Sequence, residues 1–382
     1  MWKICINHDT GGGRLGGHCT EAAFTGLPGV EIAAMSDVNP DTVLKEDSPI
    51  GAKRLYHSYT EMIEQEKPDI VVLCSRLPGE HYEQIKFALN QGCHVLCEKP
   101  LAETLDQVEE LTALSRKTGK LVQIAHLARF APAFHEMKRM IAAGEIGDVL
   151  TCYMRGKEDH RGGGEDMLVL GTHILDIACW LFGKPEQVYS DMRYKGNPLT
   201  TNDVIQTVEP IGPCGSDEIF SHYRFANGIN GIFESRHHLV PGGEARLGIT
   251  AAGTKGTLCI RYSGDRALRI SRDFPVPVED QTTFEIVPLP EPPEIPGAAP
   301  IDLTKNWGYD TSRYIFRYFS ENNRRAAWNL LQAIEGKESL LAGVETAADS
   351  LEMMVGAYQS ALNHAVVTFP LKDKKHPLKQ KA

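Results

Sequence analysis

Apolar and polar residues follow two different rhythms along this chain, and the change near residue 126 marks its organisation. In the first third, short continuous apolar runs at Ile4 to Asn7, Val30 to Ser36, Ile70 to Cys74, His94 to Cys97 and Val122 to His126 predict buried strands. Between them, helical spacing covers Cys19 to Thr25, Ser58 to Gln65, Glu80 to Gln91 and Thr104 to Thr118. Strands buried on both faces and alternating with helices predict an α/β fold with a doubly wound parallel sheet. Thr104-Leu105-Asp106-Gln107 is a capping-box start, and Gly119 is a helix stop.

Beyond residue 126 the strands lengthen and alternate. Pro132 to Ala143 reads as a helix ended by Gly144, Val149 to Arg155 as a strand, and His173 to Phe182 as a helix closed by Gly183. Glu186 to Tyr194, Ile219 to Phe225, Gly231 to His237, Arg246 to Ala252 and Thr257 to Tyr262 predict an antiparallel sheet with one solvated or partner-covered face. The proline-rich stretch from Phe274 to Ile301 reads as an extended arm, since proline is excluded from central strands. Ser320 to Gly336 and Val344 to Leu362 are the last predicted helices. We place a first domain at 1–125, a second at 126–366 and a lysine-rich tail at 367–382, frayed from Lys372 onward.

A chain of 382 residues suits two domains, and its 42% apolar and 24% charged content is that of a globular protein. The net charge of −10 argues against a nucleic-acid surface, which needs a basic stripe. No apolar run reaches the roughly 20 residues that span a bilayer, and Met1-Trp2-Lys3-Ile4-Cys5-Ile6 reads as a strand, not a signal peptide. Nine scattered cysteines without a C-x-x-C pair suit reduced thiols in the cytoplasm. Adjacent His237 and His238 point to opposite faces of a strand and no H-x-x-x-H pair occurs, so no metal is expected.

The chemistry sits at the ends of the predicted strands. Gly11-Gly12-Gly13-Arg14-Leu15-Gly16 satisfies G-x-G-x-x-G after a strand, and Asp37 ends the second strand about 20 residues on. This is the dinucleotide fingerprint, although Asn7-His8-Asp9-Thr10 lengthens its turn. Gly11, Gly13, Arg14, Leu15 and Gly16 are therefore candidate cofactor residues, and Asp37 the acceptor of the adenosine ribose hydroxyls. No arginine follows Asp37, so a 2′-phosphate meets an uncompensated carboxylate, and NAD is favoured over NADP. Ser75 and His81 fall where the nicotinamide side would run, though His81 equally suits the surface of a helix start. In G-C-H-V-L-C-E-K-P (92–100), Lys99 follows Glu98 at the carboxyl end of an apolar strand, where such sheets bind ligands. In G-T-H-I-L-D (171–176), His173 opens a helix and Asp176 shares its face.

These motifs, in this order and with H-L-A-R-F-A-P at 126–132, Trp180 and Gly183, resemble the Gfo/Idh/MocA oxidoreductases over nearly the whole chain. The resemblance implies an N-terminal Rossmann domain and a C-terminal α/β domain with a large open, mostly antiparallel sheet, through which such proteins form homodimers or homotetramers. It implies Lys99 and His173 as the catalytic pair: Lys99 hydrogen-bonds the reacting hydroxyl, and His173 is the acid/base. Many relatives also have an aspartate four residues before that histidine, where this chain has Val169. The implied activity is NAD-dependent hydride transfer at a hydroxyl carbon of a sugar, glycoside or polyol. Loop residues Lys157, Glu158, Asp159, His160 and Arg161 are expected to line the pocket. Arg129 and Arg155 are candidates for an acidic sugar, with packing the other reading of Arg129. Two alternatives stay open: redox-neutral glycoside cleavage through transient ring oxidation, and a non-catalytic NAD-binding sensor.

Overall fold

The computed structural model describes residues 1–8, 18–38, 49–75, 77–208, 211–239, 247–262, 266–272, 284–305, 307, 311 and 314–378. They divide into two compact units: Met1–Ala102, Gln107–Ala131 and Pro292–Glu345, and then Glu103–Asp106, Pro132–Glu291 and Thr346–Ala382.

In the first unit, β1 (Trp2–Asn7), β2 (Val30–Ser36), β3 (Arg54–Tyr56), β4 (Ile70–Leu73), β5 (His94–Cys97) and β6 (Val122–Ile124) form one sheet in the order β3-β2-β1-β4-β5-β6. Every pairing is parallel. Helices α1 (Tyr59–Glu66), α2 (Pro78–Asn90) and α3 (Leu105–Thr118) supply crossovers. β4 and β5 are buried at every position, which is why they read as unbroken apolar runs. β3 escapes that reading because Arg54-Leu55-Tyr56 is a largely exposed edge with no apolar run.

Two features of this unit differ from expectation. The helix expected over 19–25 is a single 3-10 turn, Thr20–Ala22, entered through left-handed Cys19 at φ 58°. Its residues are spent on burial: Ala22, Ala23, Phe24 and Leu27 all enter the core. Residues 292–345, expected in the second domain, belong to the first unit. Their helix, Tyr314–Ile334, packs Phe316, Ala326, Ala327, Leu330 and Leu331 into the same core as Ile4 and Ile6. The following segment covers the edge of β6, where Ile124 N–H donates to Ala342 at 2.7 Å and Asn329 joins Gln123 to Leu341.

The second unit carries β7 (Val149–Arg155), β8 (Pro185–Tyr194), β9 (Asn197–Pro198), β10 (Glu218–Phe225), β11 (Asn230–Arg236), β12 (Gly248–Gly253), β13 (Thr257–Arg261), β14 (Leu268–Ser271), β15 (Glu285–Ile286) and β16 (Val367–Thr368). Their order is β15-β14-β13-β12-β7-β11-β10-β8-β16, with β9 beside β8. Only the β11–β7 pairing is parallel among these. The inner face buries Val188, Ile219, Tyr223, Phe233, Cys152 and Ile249, whereas Tyr189 and Phe220 face outward at 46% and 40% exposure. Helices α4 (Pro132–Ala142), α5 (Thr172–Phe182) and Val344–Asn363 complete the unit. The nine cysteines are free thiols, and burial pushes Cys93 up to about 11 and Cys5 to about 12.

The tail is not frayed from Lys372. Leu371 and Leu378 are buried, and Gln359 donates to the Asp373 carbonyl at 2.7 Å. His376 lies against Tyr358 with centroids 5.0 Å apart, and its Nδ1 accepts from Leu378 N–H at 3.2 Å. Apolar anchors spaced among the lysines hold the segment down, and a composition count hides them. Burial pushes His376 from 6.5 down to about 4. A histidine depressed in the folded state supports folding fully above its unfolded value and loses that support as pH falls. Between pH 6.5 and 4, hydrogen exchange at residues 371–378 should therefore accelerate ahead of the β8–β10 core, and His376→Phe should remove that local acid dependence.

Candidate functional site

Parallel strands end on the same side of their sheet, and in this unit the strand order reverses between β1 and β4. A crevice for a ligand is expected at that switch point. Just past the strand ends stand His8, Asp37, Ser75, Glu98 and Lys99, each at most 4% exposed. Asn7, the last residue of β1, uses its Oδ1 to accept from Ser36 Oγ at 3.0 Å, while its buried Nδ2 meets no acceptor among the described residues.

Glu98 is the most heavily engaged group of this edge. It accepts from Thr20 Oγ1 and from its neighbour's N–H, Lys99 N, at 3.2 Å, and His18 Nδ1 lies 3.3 Å from it. Burial alone would raise this carboxyl, but His18, Lys99 and Thr20 outweigh it and hold it down to about 2. His18 in turn rests on Phe319 at 5.2 Å, and its carbonyl accepts from Asn323 Nδ2 at 2.6 Å. Lys99 thus stands buried beside an ionised carboxylate, at 2% exposure.

His81 is buried, not at a helix surface. Its Nδ1 lies 2.6 Å from the Pro100 carbonyl and its Nε2 2.6 Å from the Ser75 carbonyl. Burial lowers its pKa, while the two carbonyls, Glu98 and Glu80 pull the other way. The ring ties the end of β4 to the turn after Lys99, and a cofactor atom reaching either nitrogen must break one of those contacts. Ser75 Oγ donates to Glu80 at 2.7 Å. Asp37 pairs through Oδ2 with His8 Nδ1 at 2.8 Å. Gly11, Gly13, Arg14, Leu15 and Gly16 lie outside the described residues.

In the second unit, a five-residue π-helical turn, Met167–Gly171, leads directly into α5. Such turns shift side-chain register within a helix and recur at functional sites. His173 is 5% exposed, with its ring parallel to Tyr262 at 5.1 Å and 20°. Arg266 lies over the other partner of that stack, 5.7 Å from the Tyr262 centroid. Val169 is buried and so is Asp176. Asp166, the nearest acid before position 169 in sequence, is fully buried. Its Oδ2 accepts from Ser235 Oγ at 2.6 Å and Glu158 N–H at 2.9 Å, and burial raises its pKa. It fastens the turn in which fully buried Glu158 takes φ 61°.

The charged run is internally paired. Arg155 contacts Glu234 and lies 3.9 Å from Glu158. Asp159 receives Arg161 at 2.9 Å and Lys157 at 3.2 Å. Burial would raise the Asp159 carboxyl, but Arg161 and Lys157 hold it well below the usual range. His160 is 55% exposed at its side chain, 3.9 Å from Asp159. Arg129 belongs to the first unit, where it donates to the Leu341 carbonyl at 2.9 Å. Sequence patterns had not singled out His8, His18 or Tyr262 as site residues. The unusual His8 in the lengthened turn was the one available signal.

The residues present at the sheet edge fit a dinucleotide. Asp37 is an acceptor at the end of β2, Asn7 carries a buried donor with spare capacity, and Lys99 adds a cation. Among the described residues no cluster of three His, Cys, Asp or Glu suits a metal ion, and no helix is long and apolar enough to cross a membrane.

Residues 10–126 match a family model described as an oxidoreductase family with NAD-binding Rossmann fold, and residues 134–259 match the GFO/IDH/MocA C-terminal domain. Inositol 2-dehydrogenase 2 of Saccharopolyspora erythraea is 28% identical over 274 residues, covering 69% of this chain and 78% of that protein. D-glucoside 3-dehydrogenase of Escherichia coli is 33% identical over 133 residues, covering 31% of this chain and 37% of that protein. A levoglucosan dehydrogenase solved with NADH and levoglucosan superposes with TM-score 0.73 at 20% identity, covering 97% of this chain and 99% of that one, and shows the shared fold.

The glycine triplet before α5 has a steric reason. A Cβ on Gly162 would overlap the Arg236 carbonyl, one on Gly163 the Ser216 carbonyl, and one on Gly164 both the Gly215 carbonyl and Tyr358 Oη. Gly164→Ala should lower stability by about 3 kcal/mol in thermal or urea unfolding, since backbone must move to admit the methyl group. Gly183→Ala, whose Cβ meets nothing within 4 Å but whose φ is 83°, should act through backbone strain alone and lose about 1 kcal/mol.

Proposed function

The chain belongs to the Gfo/Idh/MocA oxidoreductase family, and within it we propose hydride transfer between NAD and a hydroxyl carbon of a neutral sugar, glycoside or polyol. NAD, when bound, supplies the hydride acceptor. Lys99 Nζ hydrogen-bonds the reacting hydroxyl and stabilises the negative charge that grows on its oxygen. His173 takes the hydroxyl proton as the carbon gives up hydride, and returns it in the reverse direction. The observation that carries this reading is the burial of Lys99 at the carboxyl edge beside the ionised Glu98. An ammonium held at 2% exposure is expensive to maintain without a task.

NAD is preferred to NADP because Asp37 occupies the position that a 2′-phosphate would approach. The substrate is neutral because the nearby cations are already matched: Arg155 by Glu234, and Lys157 and Arg161 by Asp159. A uronate would have to break one of these pairs. The names of the inositol, glucoside and levoglucosan dehydrogenases agree with that class. Free, buried thiols fit the cytoplasm. Val169 is compatible with one competing reaction, redox-neutral glycoside cleavage through transient ring oxidation.

The test is absorbance at the reduced nicotinamide band with a panel of polyols, glycosides and uronates. Neutral substrates should reduce NAD, uronates should have at least tenfold lower kcat/KM, and Lys99→Ala should lower kcat by about 10³-fold. Cleavage of an aryl glycoside without net NADH would replace net oxidation by the redox-neutral cycle. Full activity of Lys99→Ala would favour the sensor reading.

We also propose a homodimer or homotetramer built through the outer face of the β8–β10 sheet, where Tyr189 and Phe220 are exposed. Phe220→Asp should shift the sedimenting mass toward the monomer. An unchanged mass would place the interface elsewhere.

A further inference from the structure

We propose that His8 is a positioning residue of the cofactor site, holding the Asp37 carboxylate in a fixed orientation toward the adenosine ribose. The inference rests on the NAD reading above and goes beyond it, because it assigns a role to a residue that the glycine fingerprint does not contain.

The backbone around the pair is fixed from three sides. β1 continues its hydrogen bonding one residue past its end, with His8 N–H donating to the Ser36 carbonyl at 2.9 Å. Asp37 N–H donates to Tyr56 at 3.1 Å, and Cys74 N–H donates to Asn7 at 2.9 Å. His8 therefore stays in register with β2, one residue beyond the last residue of β1.

Its side chain is fully buried, Asp37 is 4% exposed, and Nδ1 meets Oδ2 at 2.8 Å. For Oδ2 to accept, Nδ1 must carry the hydrogen, whether or not Nε2 is also protonated. A carboxylate so anchored has lost its rotational freedom before any ligand arrives. Binding then avoids the ordering penalty that a free aspartate would impose, much as second partners orient metal-ligating side chains. A glycine at position 8 would give the turn freedom and leave Asp37 without this anchor.

The experiment measures NADH and NADPH dissociation constants by nicotinamide fluorescence for the full chain and for His8→Leu, His8→Asn, Asp37→Ala and the His8→Leu/Asp37→Ala double variant. Melting without cofactor confirms that each is folded. His8→Leu keeps the volume but offers no hydrogen, and should raise the NADH constant about tenfold while moving NADPH less. His8→Asn carries an amide N–H close to where the imidazole Nδ1 lies and should stay within about threefold of the unaltered chain. In the Asp37→Ala background, His8→Leu should have no further effect.

An NADH constant unmoved by His8→Leu overturns the proposal. So does the same loss with and without Asp37, which would show that His8 acts elsewhere, and so does a His8→Asn loss as large as that of His8→Leu. If the unaltered chain binds neither nucleotide, the NAD reading falls and takes this one with it. Tight NADH binding that ignores His8 removes this proposal alone.

Discussion

Charge buried at the carboxyl edge of a parallel sheet is the constraint on which the first unit depends. Each strand must end there, and the sequence ends them with ionisable groups: His8 and Asp37 after β1 and β2, Glu98 and Lys99 after β5. Removing such groups from water costs several kcal/mol each unless partners and hydrogen bonds offset the loss. Much of the surrounding structure supplies those partners. The turn at Thr20–Ala22 brings Thr20 and His18 to Glu98, and the helix Tyr314–Ile334 braces His18 with Phe319 and Asn323. That bracing gives a physical account of why a segment nearly 300 residues along the chain belongs to the first unit and not to its sequence neighbours.

The second unit solves a different problem by close approach. Three successive glycines allow the backbone at 162–164 to lie directly on residues 215–216 and 236, and Ser235 links Gly163 N–H to Asp166. Helix α5 is launched from this plate, so the direction of His173 is set by backbone contacts and by the flat face of Tyr262. The neighbouring charged run gains no free cation from its composition. Three basic and three acidic residues, Arg155, Lys157 and Arg161 with Glu158, Asp159 and Glu234, balance one another locally. Charge counts along a sequence overstate the field a ligand meets, because they do not see pairing.

The elements legible in the sequence were those that periodicity controls. β2, β5 and β7 have the bounds their apolar runs predict, and the alternation after residue 185 yields the large mixed sheet. What stayed hidden depends on partners distant in the chain. Nothing local in Asn7-His8 announces Asp37, which lies 29 residues on, and nothing in Arg261-Tyr262 announces His173. The helix expected at 19–25 failed for a related reason: its small apolar residues satisfy helical spacing and core packing equally well, and the core won. The tail misled because lysine content masks two leucines.

On the proposed mechanism, the valine at position 169 bears on how the proton moves. A carboxylate one turn before His173 would favour the imidazolium and hold the proton that catalysis delivers. Val169 has no charge, and Asp166, the nearest acid before it, is committed to Ser235 and Glu158 N–H. His173 lies with its ring face to face with that of Tyr262, which fixes its plane. In the proposed reaction the negative charge that grows on the substrate oxygen falls to Lys99. The heavy investment of Thr20, His18 and the Lys99 N–H in keeping Glu98 ionised is what makes a charged lysine tolerable there. In the proposed reaction Lys99 would act through charge, and His173 through an orientation that packing fixes.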